Sequence, residues 1–215
     1  MHKTVLYLGP TLGIADARAI LEAEYLPPIR RGDLAKLGAE IECVGIVDGE
    51  FYQSLAVSPK EILPLLERGV RVYGASSMGA LRAAELHGCG MVGMGRIFEA
   101  YRDGAIDADD EVAVAYDPVT YRTTSAPLVN IRFALRQAVE QGMIEAGRAG
   151  AIVQAAGEIY FPDRSWRMVT QMCPELAEYL GDSPPDQKAE DALLLLRTLA
   201  EGVLDPVGLT GTGTS

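Results

Sequence analysis

The chain has 215 residues, 48% of them hydrophobic and 23% charged, with a formal net charge of −11. That composition is far from a disordered one and supplies a core for one domain, or for one domain with an appendage. The acidic balance argues against a nucleic-acid partner, which needs a basic footprint, and no apolar run approaches the ~18 residues of a membrane helix.

Residues 1–9 are too short for a signal peptide, lack a cleavage pattern and read as a first strand, so a cytoplasmic location is expected. Cys43, Cys89 and Cys173 form no C-x-x-C pair, and neither a disulfide framework nor a structural zinc is expected. Strand one is read over 3–8, and a helix over 14–24 is stopped by Pro27 and Pro28. Between them, the turn Gly9-Pro10-Thr11-Leu12-Gly13 reads first as a connection and second as a ligand loop, with Gly9 and Thr11 as its binding residues. It carries neither a dinucleotide fingerprint nor a P-loop. One helical turn is read over 34–37.

Residues 42–49 read as a second buried strand closing on Asp48-Gly49. An acid there is placed either for site chemistry or in an ordinary turn. A helix follows with Ser58 as N-cap, Pro59 in first position and Lys60 and Glu61 in its first turn. A lysine at that end opposes the helix dipole preference.

Residues 70–86 pass from a buried strand to an Ala/Leu-rich helix through small residues only. Ala75-Ser76-Ser77-Met78-Gly79 is a small-x-Ser-x-Gly form of the nucleophile elbow, a sharp strand-to-helix turn that lifts a serine out of the sheet. Ser77 is therefore either a nucleophile or an N-cap. In both readings Ser76, Met78 and Gly79 surround a helix N-terminus able to hold an anion. Three strand–helix alternations at short spacing predict an α/β fold with a parallel sheet.

The glycine-rich run 87–95 predicts close backbone approach or a mobile loop, and 96–103 returns to helix. Asp107, Asp109, Asp110 and Glu111 precede a strand. They are adjacent rather than spaced as in a calcium loop, so a solvated or partner-facing acidic turn is expected and no metal. Residues 120–124 read as the returning strand of a hairpin. Helices are expected over 128–141, 144–158, 166–172 and 186–201. The resulting division is an α/β core over 1–142, a helical C-terminal extension packed on it over 143–204, and a disordered tail over 205–215.

With these pieces in order, the chain resembles TfuA-like proteins. The likeness rests on Leu8-Gly9-Pro10-Thr11-Leu12, Gly45-Ile46-Val47-Asp48-Gly49-Glu50-Phe51, Gly74-Ala75-Ser76-Ser77-Met78-Gly79-Ala80-Leu81-Arg82-Ala83-Ala84-Glu85-Leu86 and Asp109-Asp110-Glu111-Val112-Ala113. Ser58-Pro59 departs from it, since a His is expected before Lys60. The resemblance implies a partner of YcaO enzymes in peptide backbone thioamidation, one that helps to supply sulfur from a thiocarboxylated carrier protein and activates the YcaO enzyme. The peptide substrate would be met through that partner, and no cofactor is implied.

Release of sulfur from a thiocarboxylate is acyl transfer. Ser77 would attack, Lys60 would serve as base, and the Met78 N–H with a loop amide would hold the anion. Asp48, Arg82 and Glu85 would orient groups or grip the carrier, with Gly49 beside them. An ion-pair network is the other reading for Arg82 and Glu85, three residues apart on one helix face. The alternative function is a non-catalytic adaptor that docks on a YcaO enzyme and switches it. A generic esterase would need a well-placed histidine, and only His2 and His87 exist.

Overall fold

Strand β1 (Lys3–Tyr7) obeys a period of two: Val5 and Tyr7 enter one hydrophobic cluster, while Leu6 and the following Leu8 enter another on the opposite face. The same division runs through β3 (Ile41–Ile46), where Val44 and Ile46 face the first cluster and Cys43 the second. A sheet apolar on both faces must be covered on both, and this one is. The computed structural model describes residues 3–51 and 55–202. His2 and the tail expected over 205–215 lie outside the described residues.

The sheet has five strands in the order β2-β1-β3-β4-β5, all pairings parallel, with β2 (Glu24–Leu26), β4 (Arg71–Ala75) and β5 (Val92–Met94) completing it. On one face lie α2 (Pro59–Glu67) and α3 (Met78–Leu86). On the other lie α1 (Ile14–Ile20) and α9 (Gln187–Glu201), whose Ala192, Leu195 and Leu196 pack against Leu6, Tyr73 and Ala75. Each such fully buried leucine contributes roughly 1.5–3 kcal/mol. Helix α4 (Gly95–Arg102) stands beside β5, touching both α3 and α9.

A second cluster is entirely helical. It is built by α5 (Leu128–Glu140), α6 (Ala146–Gly157), α7 (Trp166–Met172) and α8 (Ala177–Leu180) around Ile131, Leu135, Ile152 and Leu176. Arg164 joins it to the acidic turn. Its guanidinium is buried, donates to the carbonyls of Ala156 and Ile159, and pairs with Asp110.

The α/β class with a parallel sheet and a helical C-terminal part is as expected; several element boundaries are not. The helix read over 14–24 ends at Ile20, and residues 24–26 are the edge strand β2. The glycine run contains a 3₁₀ turn at His87–Cys89 and the strand β5. A three-residue strand is too short for a period, and Gly93 further masks it because glycine is scarce in strands. The second strand stops at Ile46, although the chain stays near the sheet to a parallel bridge between Gly49 and Ile29. The strand and returning strand expected over 112–124 reduce to one antiparallel bridge, Tyr116 to Thr123, behind a 3₁₀ turn at Asp109–Glu111. That acidic turn is also less exposed than its composition suggests: Asp110 pairs with Arg164, and buried Glu111 pairs with Arg132.

Candidate functional site

In the order 2-1-3-4-5 the direction in which strands are added reverses between β1 and β3. A crevice opens beyond their carboxyl ends, where open α/β sheets hold ligands. The loops leaving the two strands meet there through one carboxylate. Asp48 Oδ2 accepts hydrogen bonds from the N–H groups of Gly9 (2.9 Å) and Thr11 (3.0 Å), and Oδ1 accepts from Thr11 Oγ1 (2.6 Å). Asp48 is only 2% exposed, and those three donors satisfy its buried oxygens. Of the two readings of Asp48, a simple Asp-Gly turn does not describe a residue that clasps a loop 37 positions away.

The third loop is the corner after β4. Ser76 takes φ +67°, the left-handed region that non-glycine residues seldom enter, and its buried Oγ meets no partner among the described residues. Ser77 follows with φ −102° and ψ −121°, as the residue before α3. Its side chain makes no capping hydrogen bond, so the cap reading of Ser77 lacks the bond that defines a cap.

The small residues at this corner are required by contact. A Cβ on Gly74 would lie 2.1 Å from the Gly79 carbonyl oxygen, and one on Gly79 would lie 1.7 Å from that of Ile46. Helix α3 thus begins in direct backbone contact with β3 and β4. The Gly79 N–H is spent on Val47 O at 3.2 Å, whereas the Met78 N–H meets no backbone acceptor among the described residues.

Ser77 and Asp48 share the wall of a cavity of about 410 Å³. Gly49 and Glu50 lie beside Asp48, and Phe51, Tyr116 and Phe161 make much of the remainder. Tyr116 closes it from the irregular segment 112–127, its hydroxyl donating to Glu50 Oε1 at 2.9 Å while Arg30 pairs with the same oxygen at 3.1 Å. Burial, and then the Glu50 hydrogen bond, push the Tyr116 hydroxyl well above its ordinary range, which keeps it a donor.

Lys60, Arg82 and Glu85 lie elsewhere. Lys60 is exposed on the first turn of α2 and is not in this wall. Arg82 is buried, donates to Val57 O at 2.7 Å and pairs with Glu85 at 2.7 Å, the ion-pair arrangement that their spacing offered as one reading. Gly9 lies against Pro28, and Thr11 against Asp48.

A second cavity of about 270 Å³ shares Pro10 and Val114 with the first. Thr11, Asp186 and Lys188 line it, the last two from the start of α9. Lys188 is 3% exposed, and its Nζ donates to Val112 O at 2.8 Å. Burial holds its amine below the ordinary lysine range, against the opposing pull of Asp48 and Asp186. Sequence reasoning passed over Lys188 because it stands at an ordinary polar position of an amphipathic helix, and passed over Tyr116 because it ends a stretch read as an ordinary strand. Glu50 lay within a stretch already singled out.

A family model described as TfuA-like protein matches residues 48–165, more than half of the chain, and takes in Asp48, Ser77 and Tyr116. No curated protein matches.

Proposed function

The chain belongs to the TfuA-like family, and on that footing we propose that it serves YcaO-dependent backbone thioamidation of peptides. In this reading it releases sulfide from a thiocarboxylated sulfur-carrier protein and activates the YcaO partner. Family membership supports the accessory role in thioamidation in general. The observation that carries the chemistry is the Ser77 hydroxyl: it lines the cavity beside Asp48 and caps no helix.

The reaction is acyl transfer from sulfur to oxygen. Ser77 Oγ bonds to the thioacyl carbon while the C–S bond breaks. The hydroxyl proton passes to the departing sulfur, which leaves as hydrosulfide. The proton moves directly from oxygen to the leaving sulfur in this reading, and Lys60, outside the cavity wall, takes no part. The Met78 N–H, at the start of α3, is the donor for the developing oxyanion. Water then cleaves the ester, returns a proton to Ser77 and leaves the carrier as a carboxylate. Asp48 fixes the Gly9–Thr11 loop that forms the adjoining wall.

Sulfide release from a thiocarboxylated carrier, measured without any YcaO protein, tests this. Wild type should release sulfide, and Ser77→Ala should fall on the order of 10³-fold. No release from either, with thioamidation by the YcaO enzyme still dependent on this chain, would sink the hydrolytic reading and make the protein an activating adaptor.

A further inference from the structure

We propose that the second cavity, behind Pro10 and Val114, is a binding site for a carboxylate, with Lys188 as its anchoring cation. This goes beyond the chemistry assigned to Ser77, and Lys188 lies outside the stretch 48–165 that marks the family.

The argument begins with unused donors. A lysine ammonium has three N–H groups, and among the described residues only the Val112 carbonyl takes one, at 2.8 Å. The others belong to a side chain 3% exposed in the wall of the cavity. Buried donors left unmade are costly, so an occupant that accepts them is favoured. The neighbouring hydroxyls are disposed the same way. Ser125 Oγ already accepts the Ala115 N–H at 2.9 Å, and Ser165 Oγ accepts the Met168 N–H at 3.4 Å, which leaves each O–H free to donate. The Trp166 indole, a donor only, lines the same space and meets no acceptor among the described residues. Arg164 also lines the cavity, but its guanidinium is taken up by backbone carbonyls and Asp110.

Donors therefore dominate the wall, and one cation has capacity to spare. The charge of the occupant follows from what faces Lys188. Asp48 acts on it from the neighbouring loop and Asp186 from the approach to α9. Asp48 is already held by three donors, and Asp186, exposed at the mouth, accepts from Asn130 Nδ2 and the Ala189 N–H, both at 2.9 Å. A doubly charged phosphate would be repelled by both carboxylates. A carboxylate brings one charge against one ammonium, and its two oxygens, with a carbonyl next to them, match the lysine, serine and indole donors. A volume of about 270 Å³ has room for such a group.

The chain has one tryptophan, and it lines this cavity. Its indole N–H resonance and its fluorescence therefore report the site directly. The probes are acetate and N-acetylglycine at constant ionic strength, with inorganic phosphate as comparator. Both carboxylates should shift the indole signal saturably, N-acetylglycine the more tightly. Lys188→Met should raise the dissociation constant at least about tenfold, the worth of one charge-assisted hydrogen bond. Binding should also weaken as pH rises, because the ammonium form binds and burial opposes that form; Asp48, Asp186 and the Arg164 guanidinium complete the charged groups around it. Absence of a saturable shift in wild type, or saturation by phosphate in preference to carboxylates, overturns the assignment without need of any variant. Unchanged affinity in a folded Lys188→Met does the same.

Discussion

The two cavities beyond the sheet share two residues and differ in almost everything else. The one at Ser77 is assembled from the loops that leave β3 and β4, with aromatic rings over it. The one at Lys188 draws on the first loop, the segment 123–127, the start of α7 and the start of α9, and is rich in hydroxyls. The first is shaped by backbone held against backbone; the second is shaped by where a late helix happens to be laid. The difference teaches that a site specified by local turn geometry tolerates little change in the chain that makes it. A site specified by tertiary placement should yield one side chain at a time.

The sharpest way to break that contrast is at Gly79. A Cβ there would lie 1.7 Å from the Ile46 carbonyl oxygen, which is backbone and has no rotamer to escape into. Gly79→Ala should cost ~3 kcal/mol, at the upper end of overpacking effects, read as a lower midpoint in urea unfolding. A near-neutral result would mean that α3 can slide off β3, and the rigid-corner account would fail. Asp48→Ala should be at least as costly. It strands the Gly9 and Thr11 N–H groups, and each lost charge-assisted bond is worth about 1.5–3 kcal/mol. The melting temperature should fall, and sulfide release with it. Activity lost with no change in melting would instead place Asp48 in the chemistry and not in the scaffold.

The same contrast explains what the sequence made legible. The strand–turn–helix at Ser77 could be read because its constraint is local: no side chain fits at Gly74 or Gly79, where the strand and the helix touch. Asp48 was visible as an acid ending a strand, and Gly9 and Thr11 as a ligand loop, but the hydrogen bonds that join them across a whole strand–helix unit were not. The strands β2 and β5 escaped because three residues give no period, so their identity comes from the pairing partner β1 or β4. Lys60 reads as the base because neither histidine is well placed and a lysine in the first turn of α2 opposes the helix dipole, whereas Lys188 carries no such signal. Only the docking of α9 on the sheet shows that the nearer lysine in sequence faces solvent and the distant one is buried.

Lys188 offers a test of burial that needs no ligand. Its amine is held below the ordinary lysine range, so between the folded value and about 10.4 the unfolded chain binds a proton that the folded chain does not. Stability must then rise with pH across that window, with a slope of at most about 1.4 kcal/mol per pH unit for one proton. Urea unfolding at a series of alkaline pH values, compared with Lys188→Met, isolates it. Wild type should gain on the variant as pH increases. Parallel curves would place the amine in solvent, and the second cavity would lose its buried cation.

The smallest effect is expected at Tyr116, where the two kinds of construction meet. This residue belongs to the irregular segment that roofs the Ser77 cavity, and it is held there by one bridge to Thr123 and one hydroxyl bond to Glu50. Tyr116→Phe keeps the ring and its stacking on Tyr121 but removes the bond, worth about 1 kcal/mol. Global unfolding should therefore change little, while amide exchange over 112–125 should quicken, because that segment has few other backbone bonds to the sheet. If exchange there is unmoved, the segment is held by the Lys188 bond to the Val112 carbonyl instead. The two cavities would then be coupled through α9 and not through Glu50.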